Sequence, residues 1–177
     1  MAEEKIVKAY ILGNGKIRVF DPHDITLLQE KGEYGTLMED KSLELFPEET
    51  LYLVEKNRLK VLDEKGSELS YSDLLKRFSN NDDKFWLKYI LYYDLRKRGF
   101  IVKEGFKEEN IEYRVKKVTE NIKLTKYMVI GVQEGVRIAF MELEDIVKRA
   151  LRAKKVPIIA VIDKEGNVSY YSISPLD

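Results

Sequence analysis

Apolar and polar positions alternate at the start of the chain. Residues 5–12 (KIVKAYIL) and 16–20 (KIRVF) read as two strands around Gly13-Asn14-Gly15, a strong hairpin signal. The period then lengthens, and helices are expected at about 24–31, 47–57 and 71–78. Pro47 suits the first turn of the second, and Ser70-Tyr71-Ser72-Asp73 has capping-box character with Ser70 as the cap of the third. Between those two helices, 59–62 is a short strand and 63–67 a polar turn. Residues 79–83 (SNNDD) form the natural linker, able to cap the next helix.

Beyond the linker, residues 83–98 space Trp86, Tyr89, Ile90, Tyr93 and Leu95 at helical intervals. Arg96, Lys97 and Arg98 complement the carboxyl end of the dipole before Gly99 stops the helix. Strands follow near 100–103, 112–117, 127–133 and 156–162, a helix over 140–152, and a last strand over 168–173. In the 140–152 helix, Phe140, Leu143, Ile146, Val147 and Leu151 are spaced for burial; Tyr92-Tyr93 and Trp86 read as core. The pattern is that of an α+β protein in two parts, 1–83 and 84–177.

Composition narrows the chemistry. The chain has no cysteine, which removes disulfide scaffolds, thiolate zinc sites and thiol nucleophiles together. Neither a signal peptide nor an apolar run of spanning length is present, so a soluble cytoplasmic protein is expected. Charged residues make up 35% and glutamine occurs only at Gln29 and Gln133, a usage that fits a thermophile's ion-pair networks. The zero net charge hides a division: residues 1–83 hold 12 Lys/Arg against 18 Asp/Glu, and residues 84–177 hold 19 against 13. The second half is the one suited to a polyanion such as RNA.

The most specific stretch is 92–105, YYDLRKRGFIVKEG. It resembles the entry to the C-terminal domain of the archaeal tRNA-splicing (tRNA-intron) endonucleases, close to YxDLRxRGYxVKxGxK, with Asp94, Leu95, Arg96, Arg98, Gly99, Val102, Lys103, Gly105 and Lys107 in place. Lys31, Gly32, Tyr34 and Gly35 match a KGxYGxP-like turn of the same family. Residues 43–61 are similar to its LSLVEALYLLExGxLEV helix, and 159–171 (IAVIDKEGNVSYY) to its last hairpin, AIVDxxGDxxYY. The resemblance implies a small mixed α/β N-terminal domain followed by an endonuclease-like domain with a central mixed sheet flanked by helices.

Members of that family cut RNA without a metal or cofactor, using the neighbouring 2′-hydroxyl as nucleophile. A Tyr closing an FRxY motif, a His opening an HSxYLV motif and a Lys before an LAxVD strand supply base, acid and cation. Against those motifs, YRVK puts Lys116 in place of the Tyr and LTKYMV puts Leu124 in place of the His; Lys155, eight residues before Asp163, is retained. The only histidine, His23, lies in the N-terminal half. The resemblance therefore implies a structural, non-catalytic subunit of the heterotetrameric type, two copies beside two of a catalytic paralogue, acting on precursor tRNA. Lys116, Lys117, Lys123, Lys154 and Lys155 are its candidate RNA-proximal residues.

The family's last hairpin also implies a partner surface. Its acidic turn docks into an opposing subunit and its last strand pairs with a neighbour's, which here assigns Asp163, Glu165, Gly166, Val168, Tyr170 and Ile173 to partner binding. Strand 168–173 (VSYYSI) is rich in β-formers, and an uncovered edge of that composition is an aggregation hazard. Tyr170 and Tyr171 straddle the sheet with one in the core. Two alternatives stand beside this reading: a self-sufficient nuclease with a relocated site drawing on Lys155, Lys116 and Glu112, and an RNA-binding scaffold module without an aromatic-basic RNA motif.

Overall fold

A computed structural model describes residues 5–107, 109–119 and 123–174. The chain divides into two units, one ending at Phe85 and one starting at Trp86. The architecture is mixed α+β, with helices flanking a mixed sheet.

The N-terminal unit starts with a hairpin of β1 (Val7–Ile11) and β2 (Ile17–Val19). Gly15 sits at φ +79° and the Asn14 side chain accepts from the Lys16 amide at 3.0 Å, which closes the turn. Helix α1 (Pro22–Gly32) follows, with Pro22 in its first turn and the Asp21 carboxylate accepting from the His23 and Asp24 amides at 2.9 and 3.0 Å. It begins two residues before the sequence expectation because Asp21 is the cap. His23 is exposed in this first turn.

Strands β3 (Thr36–Leu37) and β4 (Leu43–Leu45), too short to leave a periodic signal, precede α2 (Pro47–Glu55), β5 (Leu59–Leu62) and β6 (Glu68–Leu69). The sheet runs β3-β4-β2-β1-β5-β6, with β1 and β5 parallel. Its inward side chains, among them Val7, Ala9, Ile17, Val19, Leu43, Leu45, Leu59 and Val61, are buried. Helix α3 (Tyr71–Asn81) starts at a reciprocal capping box, the Ser70 hydroxyl accepting from the Asp73 amide at 3.1 Å and Asp73 from the Ser70 amide at 2.9 Å. Residues 79–81, expected as linker, belong to α3. Only Asp82-Asp83-Lys84 separates it from α4 (Phe85–Lys97).

The C-terminal unit is a five-stranded sheet between two helices. Its strands are β7 (Phe100–Glu104), β8 (Glu112–Lys117), β9 (Tyr127–Gln133), β10 (Val156–Ile162) and β11 (Val168–Ser172), with α5 (Phe140–Arg152) joining β9 to β10. The order is β11-β10-β9-β8-β7; β9 and β10 are parallel, as a helical crossover requires, and the other pairs antiparallel.

Helix α4 covers one face of the sheet. Tyr92 stacks edge-on with Tyr113 at 6.0 Å, and the Tyr113 hydroxyl donates to the Lys88 carbonyl. Helix α5 covers the other, where Ile146 and Ala150 pack on Met128, Ile130 and Ile159. The strand period of two sends Tyr170 to the α4 face and Tyr171 to the α5 face.

Two expectations about burial fail. Trp86 is half exposed and leans on Tyr89 at 5.8 Å, because the buried side of α4 carries Phe85, Lys88, Tyr89, Leu91, Tyr92, Leu95 and Arg96. In α5, Phe140 and Leu151 are exposed, since Ile146 and Ala150 set the inward direction and both residues lie to one side of it.

Candidate functional site

The C-terminal end of β8 and the N-terminal ends of β9 and β10 lie side by side at one end of the sheet. The Lys126 amide donates to the Val115 carbonyl, and the Val156 amide to the Lys126 carbonyl, both at 2.9 Å. Position 116 ends up on β8, position 124 just before β9 and position 155 just before β10, so the fold brings the three together.

Lys116 is 4% exposed, in register with Ile101 of β7, and its side chain is enclosed rather than presented to a ligand. Leu124 is 76% exposed. Lys155 connects the two loops: its Nζ donates to the Thr125 carbonyl and to Thr125 Oγ1, each at 2.7 Å. Burial, and then the nearby Arg114 guanidinium, lower the Lys155 pKa from the ordinary lysine value. Lys117, Lys123 and Lys154 are exposed at this same end. Among the lysines expected near RNA, Lys116 is therefore the one without an accessible side chain.

Glu112 opens β8 with a side chain that is 0% exposed. Arg149 of α5 donates to its Oε1 at 2.7 Å, and the Phe106 and Lys107 amides donate to its Oε2 at 2.7 and 3.3 Å. Burial works against the Arg149 charge, but the Glu112 and Asp145 carboxylates outweigh it and raise the Arg149 pKa. The Glu112 carboxylate is thus fully engaged within its own unit. Among the described residues, no group of three His, Asp or Glu is placed to hold a metal ion.

Sequence reasoning missed Arg114 as a site residue. Its Nε donates to the Glu104 carbonyl at 2.7 Å and its guanidinium lies over the Phe106 ring, 5.2 Å from the centroid. The signal was the strand period, which puts Glu112, Arg114 and Lys116 on one face of β8.

The β10–β11 turn lies at the opposite end of the sheet. Asp163 is spent on the turn itself, accepting from the Glu165 and Asn167 amides at 2.8 Å and from the Asn167 side chain at 2.9 Å. The Asn167 side chain, then its amide, hold the Asp163 pKa below the usual carboxylate range. Gly166 adopts φ +84°, which the turn requires. Glu165 is exposed, Val168 is buried in its own chain and Ile173 packs partly against the α5 cluster. Tyr170 donates to Asp94 at 2.6 Å under the Arg98 guanidinium, and burial followed by Asp94 pushes its pKa up. The side chains of Val168 and Tyr170 thus serve their own unit. What β11 presents outward is Tyr171 and, as the edge strand, its backbone.

Residues 85–170 match the catalytic C-terminal domain of the tRNA intron endonucleases, and residues 9–75 match the N-terminal domain. A tRNA-splicing endonuclease of Pyrococcus horikoshii is 33% identical over 172 residues, 96% of either chain. This chain belongs to the tRNA intron endonuclease family. Other relatives named tRNA-splicing endonuclease include one of Methanococcus maripaludis, 32% identical over 177 residues (99% of this chain, 98% of the relative). One of Thermococcus onnurineus is 35% identical over 127 residues, 71% of each. Membership in the tRNA intron endonuclease family agrees with the motifs read along the sequence. No helix among the described residues is long and apolar enough to cross a membrane.

Proposed function

We propose that this chain is the structural, non-catalytic subunit of a tRNA-splicing endonuclease, which assembles two and two with a catalytic paralogue in the cytoplasm and acts on precursor tRNA. The observation that carries this is Leu124: the position that faces solvent beside the Lys155–Thr125 anchor holds a side chain that cannot protonate a leaving oxygen. General acid–base catalysis typically contributes about 10²–10⁴-fold per group. Enclosed Lys116 gives the 2′-hydroxyl no accessible base, so cleavage depends on the partner.

Two features support assembly. Strand β11 leaves one edge unpaired among the described residues, and Glu165 stands exposed on a turn that Asp163 and Asn167 hold rigid. In this reading Glu165 is the docking carboxylate and Asp163 shapes the turn that offers it.

Reconstitution tests the proposal. The purified chain alone leaves a bulge–helix–bulge RNA intact, and activity appears when a His-bearing paralogue is added. Cleavage by the chain alone at the rate of the complex overturns it. Glu165→Lys weakens assembly in analytical ultracentrifugation without disturbing the turn, and an unchanged complex removes the docking assignment.

A further inference from the structure

Strand β11 forms a ladder on one side only, and the bonds that flank it show which of its backbone groups are used. The Asp163 amide donates to the Asn167 carbonyl at 3.0 Å, and the Ile173 amide to the Pro157 carbonyl at 3.3 Å. In the antiparallel register between those two points, residues bonded to β10 alternate with residues that are not. Ser169 and Tyr171 therefore direct their amides and carbonyls to Val161 and Ile159, while those of Val168, Tyr170 and Ser172 turn to the open edge.

Tyr170 is the middle of that outward row. Its main chain makes no bond to β10, yet its side chain is tied to the start of the unit. The Tyr170 hydroxyl donates to Asp94 Oδ2 at 2.6 Å, and the same oxygen accepts from Arg98 Nε at 2.6 Å. The Arg98 guanidinium lies over the Tyr170 ring, 5.1 Å from its centroid. Asp94 is in the last turn of α4, and Arg98 follows the helix directly. The helix thus fixes, from the inner face of the sheet, the residue whose backbone faces out.

We infer that Asp94 and Arg98 are positioning residues for assembly: through Tyr170 they hold β11 extended, so that Val168, Tyr170 and Ser172 pair with an extended strand of the catalytic paralogue. The inference rests on the assembly through β11 proposed above, and it adds what prepares that strand. A strand added to a sheet edge draws its affinity from main-chain hydrogen bonds. An edge that frays must first be ordered, and the lost backbone entropy is subtracted from the binding. A side-chain tie at the central outward residue meets that cost during folding instead.

Hydrogen exchange by NMR and the affinity for a His-bearing paralogue, both measured on the full chain, test this. In the chain alone the Ser169 and Tyr171 amides are protected and those of Tyr170 and Ser172 exchange faster; in the complex all four are protected. Tyr170→Phe removes only the hydroxyl, lowers the protection of Ser169 and Tyr171, and weakens the complex about tenfold. Asp94→Ala does the same, whereas Asp94→Asn keeps an acceptor for the hydroxyl and stays within about threefold of the wild type. Ile146→Val, which loosens the core beneath α5, leaves the affinity unchanged and so separates positioning from general stability. A complex in which the Tyr170 and Ser172 amides gain no protection overturns both this inference and the assembly through β11. Protection of those amides together with less than about a twofold effect of Tyr170→Phe overturns the inference alone. Whether the chain cleaves by itself is read separately by the reconstitution assay.

Discussion

Arg149→Met exposes what the buried ion pair beneath the Phe106 turn contributes. Removing one partner of a buried pair costs about 3–5 kcal/mol when the other charge is left without compensation. Here the Glu112 side chain is 0% exposed and Arg149 16%, but Glu112 keeps the Phe106 and Lys107 amides as donors. Those two hydrogen bonds to a charged acceptor bring the expected loss down to about 2–3 kcal/mol. Glu112→Gln retains a carbonyl for the amides and leaves Arg149 with Asp145 at 3.1 Å, so it costs about 1–2 kcal/mol.

The double variant removes both charges, and its cost falls short of the sum by about 1–2 kcal/mol. Urea denaturation followed through Trp86, the chain's one tryptophan and the first residue of the C-terminal unit, measures all three. A loss below about 0.5 kcal/mol for Arg149→Met, or additivity within about 0.5 kcal/mol, refutes the account of a mutually dependent buried pair.

Asp163 gives a pH prediction. Its folded-state pKa is depressed below 3.8, so its contribution to the β10–β11 turn is present above that value and is lost as pH falls through the depressed one. Asn167→Ala raises the Asp163 pKa toward 3.8 in a carboxyl NMR titration, and no change would contradict the assigned cause. Leu124→His restores an imidazole next to the Lys155 anchor. It raises cleavage by the chain alone by about 10²-fold over background and stays well below the assembled enzyme, since position 116 still lacks a phenol. An unchanged rate shows that position 124 is not the acid's place.

The order and type of most elements were legible because β8, β9 and β10 carry aliphatic runs bounded by turn residues, and α5 begins and ends where its periodicity does. β3, β4 and β6 were not, being two or three residues long and held by pairing with their neighbours rather than by any pattern of their own. The stripe of α4 was misjudged for a physical reason. Lys88 and Arg96 lie on its buried side, where the Arg96 Nε reaches the Tyr92 hydroxyl at 2.8 Å, while Trp86 turns outward. Charge argues against burial along a sequence until a partner is visible.

The identities at positions 116, 124 and 155 were legible only through the family's motifs. That Lys116 is enclosed and Leu124 exposed follows from β8 continuing through Lys117 and from position 124 lying ahead of β9, next to the anchored Thr125. Phe106 and Arg114 were illegible as a pair because the return of β7 on β8 brings them together across the intervening turn.

The Tyr170–Asp94–Arg98 tie joins the last strand of the C-terminal unit to the helix that begins it, across 76 positions of sequence. Loop closure over so many residues is an entropic cost that local contacts do not repay, and it places this joint among the late events of folding. On the ribosome the unit stays open along its β10 edge until residues 168–172 have emerged, and during that interval β10 lacks the neighbour that later covers it.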